Sequence, residues 1–270
     1  MIYSIGITGS TGSLGQVILK KFKNYKIKRF KGDIRDREEV FNWILKNKIK
    51  VIIHLAAVVP IKVVNENKKK AKDVNFVGTK NVVDAAIKNN VSWFFFSSTS
   101  HVYKSSKKPI SEKFFKEPIS FYGKTKLMAE EYIIKNFKKK KIKFCIGRIF
   151  STTNKNQKKN YLVPDLKRKI KVSKKKIILK NLNHFRDFIS MEDISEIIFL
   201  LWKKKYQGIL NLGSGKSIFL KDIAIKISQK FKKRIYFKDN KIATYLIANI
   251  KKLKKIYKKN PNKSLEQMIF

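Results

Sequence analysis

Short apolar runs alternate with stretches of helical periodicity through the first 150 residues, and this alternation constrains the fold more than any other feature. Runs of strand length lie at 2–8, 26–30, 51–56, 91–97 and 142–150. Helical patterns lie between them at 13–22, 35–47, 71–88 and 120–136. Alternating strands and helices build a parallel sheet with helices on both faces. The sequence therefore predicts an α/β fold with a doubly wound parallel sheet over residues 1–150.

After residue 150 the pattern is looser. Residues 151–161 are polar and loop-like. Short strands are predicted at 177–179, 187–189 and 208–212, and helices at 164–170, 191–203, 220–231, 242–257 and 264–268. Ligands of open α/β sheets bind outside the carboxyl ends of the strands, where late segments of the chain can cover them. We expect residues 151–270 to form a small substrate-binding region whose chain weaves back into the first domain.

The charge balance is unusual, because 64 Lys and Arg face 19 Asp and Glu, a formal net charge of +45. A nucleic-acid-binding protein concentrates its basic residues on one face and uses Arg for bidentate contacts. Here the lysines run from Lys20 to Lys263 with no segment spared, beside many Ile, Asn, Phe and Tyr residues that also have A/T-rich codons. We therefore expect no specific nucleic-acid partner and keep a polyanion-binding protein as an alternative.

Cysteine and histidine are scarce. Cys145 is alone, so an intramolecular disulfide is excluded, and His54, His101 and His184 are too scattered to suggest a metal site. The N-terminus lacks the pattern of a signal peptide, and the longest apolar stretches are too short to span a bilayer. These observations favour a cytoplasmic protein with no membrane segment.

A glycine-rich turn follows the first predicted strand and opens the first predicted helix. Its G-x-x-G-x-x-G spacing allows a tight turn and a close approach of the backbone to a pyrophosphate, whose charge the helix N-terminus favours. The candidate dinucleotide-binding residues of this turn are Gly9, Thr11, Gly12, Ser13, Leu14 and Gly15.

Two charged residues bear on the choice of cofactor. Asp33 lies at roughly the distance at which an acid binds the adenosine ribose of NAD(H). Arg29 lies at the end of the second predicted strand, where a cation suits the 2′-phosphate of NADP(H). The residues favour NADP(H) slightly and leave NAD(H) open.

A candidate catalytic set lies around the fourth strand and the helix after it. Tyr122 and Lys126 are four residues apart and so share a helix face. A nearby ammonium group would lower the pKa of the phenol, which is ordinarily near 10. Thr99 closes the preceding strand and could hydrogen-bond the reacting oxygen. This set suits proton transfer at a C–OH/C=O centre during hydride transfer.

At these residues the sequence resembles the extended short-chain dehydrogenase/reductase family, in its branch of nucleotide-sugar epimerases, dehydratases and 4-keto-reductases. The resemblance implies a Rossmann-type fold, a nucleotide-sugar substrate and catalysis by Thr99, Tyr122 and Lys126, and it is compatible with a homodimer. It adds cofactor contacts by Asp33, beside the adenine, and by Ile34, Leu55, Ala56, Ala57, Asn75, Tyr122 and Lys126. The segment that begins at Arg186 resembles the one that holds the substrate diphosphate.

The departures from the family pattern narrow the expected reaction. The 4,6-dehydratases of this family carry an Asp-Glu pair where this chain has Ser100 and His101, so we expect substrate contacts there and no dehydration. The compressed region before Asp33 resembles the 4-keto-reductases, and both an epimerase and a reductase stay open. A catalytically inactive dinucleotide-sensing regulator is the other alternative, and the presence of Tyr122 and Lys126 counts against it.

Overall fold

The computed structural model describes residues 4–140, 142–155, 157, 160–173, 176–259, 261 and 263–270. The first strand, predicted from residue 2, is seen from residue 4, and residues 1–3 lie outside the described part. In the described part of the chain no helix is long and apolar enough to cross a membrane.

The element order agrees with the predicted alternation. The strands are β1 Ser4–Thr8, β2 Ile27–Arg29, β3 Ile49–His54, β4 Trp93–Thr99, β5 Lys143–Ile149, β6 Ser151–Thr153, β7 Ile177–Lys180, β8 His184–Arg186, β9 Phe188–Ser190, β10 Gly208–Leu212, β11 Ile218–Phe219, β12 Ile235–Lys238 and β13 Thr244–Leu246. The α-helices are α1 Ser13–Lys21, α2 Arg37–Lys46, α3 Ile61–Glu66, α4 Lys68–Lys72, α5 Thr79–Lys88, α6 Phe121–Lys139, α7 Leu162–Val172, α8 Met191–Lys203, α9 Leu220–Lys230, α10 Lys251–Lys254 and α11 Leu265–Ile269.

The large sheet has the order β2-β1-β3-β4-β5-β10, with parallel pairing throughout. The strand order reverses between β1 and β3, because β1 pairs with β2 on one side and with β3 on the other. In doubly wound sheets this reversal opens a crevice at the carboxyl ends of the strands, where ligands bind. The expectation of an α/β fold with a doubly wound parallel sheet is confirmed.

Both faces of the large sheet are buried under helices, which explains why its strands read as continuous apolar runs. Along β4, Trp93 and Phe95 belong to the core under α1 and α8, whereas Phe94 and Phe96 belong to the core under α2, α5 and α6. All four rings are fully buried. The alternation of side chains along one strand therefore stabilises two separate cores.

The chain after β5 divides between the large sheet and a smaller lobe. β10 joins the edge of the large sheet beside β5, and α8 packs on its face. The smaller lobe combines α7, α9 and α11 with the β7–β12 pair around a core of its own, which includes Ile170, Ile177 and Ile223. The segments that line the far end of the crevice come from this lobe and from β8.

Two expectations for the second half were wrong. The helix predicted over 242–257 is absent there: 244–246 form β13, and only Lys251–Lys254 is helical. β13 pairs with β8, and Tyr245 accepts a further hydrogen bond from the amide of Ser106, so distant partners decide its conformation. The loop predicted at 151–161 begins instead with β6, which pairs with β9.

Candidate active site

A cavity of about 1270 Å³ lies at the carboxyl ends of the large sheet, and the smaller lobe closes its other side. One end is lined by the glycine turn and by residues 55–57, which follow β1 and β3. Thr99 and Tyr122 lie along its wall, and His184 and Arg186 of β8 line the far end. The cavity therefore brings together the predicted phosphate turn, Thr99 and Tyr122 of the predicted catalytic set, and the predicted diphosphate ligand, whereas Lys126 does not line it.

The glycine turn has the conformation that its sequence predicts. Gly9 has φ +69°, which side-chain-bearing residues rarely adopt, and a Cβ atom there would lie 2.6 Å from the backbone nitrogen of Ala56. A Cβ atom on Gly15 would lie 2.5 Å from the carbonyl oxygen of Gly9. The glycines are therefore required for the close packing of the turn against α1 and the loop after β3.

The geometry of this turn fits the pyrophosphate of a nicotinamide dinucleotide. Helix α1 begins after Gly12, which has no side chain to cap the first-turn amides, whereas Ser120 caps α6 and Ser190 caps α8. An uncapped helix N-terminus that faces a cavity favours an anion through its amides and dipole. The turn residues Gly9, Thr11, Gly12, Ser13, Leu14 and Gly15 all line the cavity, as do Leu55, Ala56 and Ala57 opposite them.

Arg29 and Asp33, which bear on the choice of cofactor, do not line the cavity. Arg29 is exposed, and its Nε donates to Ser10 Oγ at 3.2 Å, which places the guanidinium against the glycine turn. The Asp33 carboxylate instead accepts from Arg35 Nε and Nη2, and these hydrogen bonds lower its pKa. Ile34 is buried against Gly78, where a Cβ atom would lie 2.6 Å from Ile34 Cδ1.

His54 is a fully buried residue, and both of its ring nitrogens have hydrogen-bond partners. Thr79 Oγ1 donates to the carbonyl of Asn75 at 2.8 Å, so it accepts from His54 Nε2 at 2.9 Å. The other nitrogen, Nδ1, then accepts from Thr8 Oγ1 at 2.6 Å. Burial lowers the pKa of His54 to about 3, with a smaller effect of Lys126, and the imidazole is neutral.

Asn75 is fully buried in a short π-helical segment, Asp73–Gly78, between α4 and α5, within the single helix predicted at 71–88. Its Oδ1 accepts from the amide of Val58 at 2.7 Å, and its Nδ2 donates to the carbonyl of Val58 and to Thr125 Oγ1. These bonds hold the loop after β3 against α6. The structure thus places Asn75 behind the cavity wall, where it supports residues that line the cavity.

Thr99 and Tyr122 are brought together at the end of β4 and the start of α6. Thr99 Oγ1 accepts from the amide of His101 at 3.2 Å, which leaves its proton for the phenol oxygen of Tyr122. Burial and the neighbouring Tyr161 raise the pKa of Tyr122 above its ordinary value, and the hydrogen bond with Thr99 opposes them. Without a ligand, the phenol is therefore held as the protonated acid.

Lys126 shares the buried face of α6 with Tyr122, as the four-residue spacing predicts, but its immediate neighbours come from elsewhere. Its side chain is 1% exposed, and Nζ lies 4.0 Å from the centre of the Phe96 ring. Burial lowers the pKa of Lys126 to about 7, and the Glu130 carboxylate acts in the opposite direction. Lys126 does not line the cavity, and its amino group lies against an aromatic face.

The candidate substrate residues occupy two parts of the cavity. Ser100 and His101 line it beside Tyr122, and His101 Nδ1 lies 3.0 Å from Ser120 Oγ. Ser120 Oγ also accepts from the amide of Gly123. Burial lowers the pKa of His101 to about 3, with a smaller effect of Arg186. Neutral His101 is therefore a hydrogen-bonding group of the cavity wall.

Arg186 lies at the far end of the cavity on β8, where Nη1 donates to the carbonyl of Thr244 at 2.9 Å and Nη2 to Thr244 Oγ1 at 2.8 Å. The next residue, Asp187, is fully buried and accepts from Ser214, from Gly215 and from the amide of Ala248. These four hydrogen bonds, two of them from Ser214, fix the turn between β8 and β9 that carries Arg186.

Sequence reasoning missed Tyr161, which lines the cavity near Tyr122 and precedes α7. It lies in the stretch interpreted as a polar loop, and no local pattern relates it to a tyrosine 39 positions earlier. The other charged side chains of the cavity are Lys62, Asp165, Arg168, Lys169, Lys180 and Lys241. Among the described residues, no group of three or more His, Cys, Asp or Glu side chains could hold a metal ion.

Solved structures with this fold include three that cover almost the whole chain. Pal from Bacillus thuringiensis aligns with a TM-score of 0.90 at 21% identity, over 98% of this chain and 96% of that one. The Thermus thermophilus UDP-glucose 4-epimerase in complex with NAD has a TM-score of 0.87 at 17% identity and the same coverages. RMD from Pseudomonas aeruginosa, complexed with NADPH, has a TM-score of 0.87 at 16% identity, covering 99% and 96%. At these identities the likeness shows the fold, which is the Rossmann-type fold expected.

Curated relatives carry several activities. The dTDP-4-dehydro-6-deoxyglucose reductase of Escherichia coli is 27% identical over 84% of this chain and 82% of its own length. The dTDP-D-glucose 4,6-dehydratase of Dictyostelium discoideum is 26% identical over 84% of this chain, which spans only 62% of that relative. The model of the NAD dependent epimerase/dehydratase family matches residues 5–213, from β1 to the turn after β10. The resemblance stated from the sequence is thereby confirmed, and the chain belongs to the NAD dependent epimerase/dehydratase family.

Proposed function

We propose that the protein is a nicotinamide-dependent enzyme that acts at C4 of a nucleotide-activated hexose, as an epimerase or a 4-keto-reductase. The main support for this proposal is that Thr99 and Tyr122 line the same cavity as the glycine turn. A nicotinamide ring accepts or supplies the hydride when the dinucleotide is bound, so a proton-transfer group is needed beside it. Tyr122 is that group.

The chain's own residues manage the proton. With its pKa raised by burial, the Tyr122 phenol donates a proton to an oxygen that becomes a hydroxyl group, which is the direction that a reductase needs. The Thr99 hydroxyl donates to the phenol oxygen and stabilises the phenolate that remains. For the reverse direction the pKa of Tyr122 must fall, and we propose that the Lys126 ammonium contributes to this lowering while it anchors the cofactor ribose.

Substrate binding is assigned to the rest of the cavity, and residues 151–270 supply much of it. Neutral His101 forms a hydrogen bond with the sugar, with Ser100 beside it. Arg186 binds the diphosphate, for which a guanidinium is well suited. Burial lowers the pKa of Arg186 to about 10, and the group is still a cation at neutral pH. A diphosphate partner would compensate for much of the cost of holding this cation inside the protein.

The test of the proposal separates chemistry from binding. Tyr122→Phe keeps the ring and removes the proton, so turnover should fall by at least about 10²-fold, the usual contribution of a positioned acid–base group. NADH and NADPH binding, followed by nucleotide fluorescence, should be nearly unchanged. Tyr132→Phe, on the same helix, is the matched control, because Tyr132 bonds Asp84 and does not line the cavity. Normal turnover by Tyr122→Phe would refute the mechanism.

The two reactions differ in what happens to the cofactor. A panel of UDP-, dTDP- and GDP-hexoses and their 4-keto derivatives is supplied with NADH or NADPH while the near-ultraviolet absorbance of the nicotinamide is recorded. A reductase consumes reduced cofactor in proportion to product. An epimerase interconverts the two hexoses with no net change in absorbance and keeps its cofactor bound. Absence of both outcomes across the panel would favour the dinucleotide-sensing alternative.

For the cofactor we propose a preference for NADP(H) over NAD(H). The position of Arg29 against the glycine turn supports it, and so does the pairing of Asp33 with Arg35, which leaves this carboxylate less available to a ribose hydroxyl. Loss of a charge-assisted hydrogen bond costs about 1.5–3 kcal/mol, so Arg29→Ala should weaken NADPH binding roughly 10- to 100-fold. NADH binding should change little, and Lys28→Ala is the control. Equal losses for both nucleotides would contradict the assignment.

We also propose a cytoplasmic location and a homodimer. The described cysteine, Cys145, is buried and free, which agrees with a reducing compartment. Sedimentation of the purified protein at several concentrations tests the homodimer, and a single species of monomer mass would contradict it.

A further inference from the structure

A buried ion pair lies next to the proposed catalytic face and takes no part in the mechanism above. Glu130 follows Lys126 by one helical turn on α6, and Arg148 is the last residue but one of β5. Both residues are 1% exposed. Arg148 Nη2 donates to Glu130 Oε2 at 2.6 Å, and its Nε donates to Oε1 at 3.0 Å. A buried bidentate pair of this kind is costly to desolvate, so it calls for a role beyond stability.

The partners of the pair connect several elements that build the active site. Ser98, the residue before Thr99, donates its hydroxyl proton to Glu130 Oε1. On the other side, Arg148 Nη1 donates to the hydroxyl of Tyr103 at 2.8 Å, shortly after β4. The network therefore holds α6, which carries Tyr122, at a fixed position against the end of β4.

The electrostatic relation to Lys126 is the distinctive feature. Residues four apart on a helix lie side by side, so the Glu130 carboxylate would be the natural ion-pair partner of Lys126. The structure pairs Glu130 with Arg148 instead, and Lys126 Nζ lies over Phe96. Glu130 still raises the pKa of Lys126 against the effect of burial. His54 of β3 lies near Lys126, which lowers the pKa of His54 further; His54 is neutral above about pH 3 and adds no charge here.

We propose that Glu130 and Arg148 are a positioning pair for Lys126. The carboxylate favours the charged form of the lysine, and the guanidinium holds the carboxylate so that it does not capture the ammonium group. Among the described residues, Lys126 is then left without an ion-pair partner and keeps its contact with Phe96. The inference rests on the proposed function, in which Lys126 anchors the ribose of the cofactor.

The test measures the dissociation constant of NADH between pH 6 and 9 by nucleotide fluorescence. NADH is the probe because it lacks the phosphate monoester of NADPH, which would titrate near pH 6. Wild-type affinity should weaken as the pH rises through the pKa of Lys126. Glu130→Gln removes the supporting charge and exposes Lys126 to the unpaired Arg148, so the midpoint should move down by about one pH unit or more.

Two further variants complete the design. Tyr103→Phe removes one hydroxyl from the same network without changing a charge, and its midpoint should equal that of the wild type. Because a half-broken buried pair can prevent folding, Glu130→Gln/Arg148→Met removes both charges together, and its midpoint should still lie below that of the wild type.

The outcomes distinguish the two proposals. Folded variants that bind NADH with the wild-type midpoint would overturn the positioning role and leave the proposed function intact. Wild-type protein that binds neither NADH nor NADPH would instead overturn the proposed function. An equal downward shift in Tyr103→Phe would also overturn the positioning role, because it would show a general loosening of the network.

Discussion

Replacing Lys126 with methionine should stabilise the protein, because the fold pays for a buried ammonium group. The side chain is 1% exposed, and burial lowers its pKa from 10.5 to about 7. At pH 6 this shift of roughly 3.5 units corresponds to about 5 kcal/mol of unfolding free energy. The contact with Phe96 returns up to about 2 kcal/mol, so the expected net gain of Lys126→Met at pH 6 is about 3 kcal/mol.

The sign of the pH dependence follows from the proton count. Below pH 7 the lysine is charged in both the folded and the unfolded state, and the full penalty applies. Between pH 7 and 10.5 the unfolded state binds more protons, so wild-type stability rises with pH. The advantage of the variant should therefore shrink to about 1 kcal/mol at pH 9.5.

Urea unfolding at pH 6 and pH 9.5 measures both quantities. Lys124→Met is the matched control, because Lys124 is exposed on the same helix and should change stability by less than about 0.5 kcal/mol. The reasoning is refuted if Lys126→Met is no more stable than the wild type at pH 6, or if its advantage is the same at both pH values. A stabilised variant that binds NADH poorly would show that the buried lysine is kept for function.

Four further substitutions test other parts of the structure. Gly9→Ala forces a side chain into a positive-φ position and against backbone atoms, so urea unfolding should show that the free energy of unfolding falls by at least about 1–3 kcal/mol. At Gly12 the atom nearest to an added Cβ is 3.3 Å away, so Gly12→Ala should mainly weaken NADH binding. Asp187→Asn removes the acceptor of at least two of the four hydrogen bonds that Asp187 accepts. The free energy of unfolding should fall by about 2–4 kcal/mol, which should appear as a lower thermal midpoint. An unchanged midpoint would contradict the role given to Asp187. The pKa of His54 falls from 6.5 to about 3 on folding, so the stability that depends on its neutral form is complete above pH 6.5 and is lost as the pH falls. Between pH 6.5 and 4, the free energy of unfolding of His54→Gln should therefore fall by about 3 kcal/mol less than that of the wild type, as measured by urea titration.

The large positive charge has little to do with the cavity. Most of the cavity wall is uncharged, and the basic groups that line it are Lys62, Arg168, Lys169, Lys180, Arg186 and Lys241. They suffice for anionic ligands, and many other lysines lie on solvated faces of the helices. This distribution agrees with the interpretation of the lysine excess as compositional drift, and a field that attracts phosphates is its remaining consequence.

The sequence by itself determined the features that depend on neighbours along the chain. The alternation of strand-length and helical patterns predicted the doubly wound sheet, because each period reflects which side chains a single element buries. The glycine spacing predicted the turn after β1, and the four-residue spacing placed Tyr122 and Lys126 on one face of α6. These are local relations, so no knowledge of the fold is needed to predict them.

Only the tertiary structure decided what surrounds those residues. It placed Phe96 under Lys126, paired Glu130 with Arg148, and brought Tyr161 beside Tyr122. It also turned 244–246 from the predicted helix into β13. Each of these outcomes depends on groups that are distant in sequence and meet only when the sheet and the smaller lobe close around the cavity. The protonation of the candidate catalytic residues is set by that burial and pairing, and a linear pattern carries no record of it.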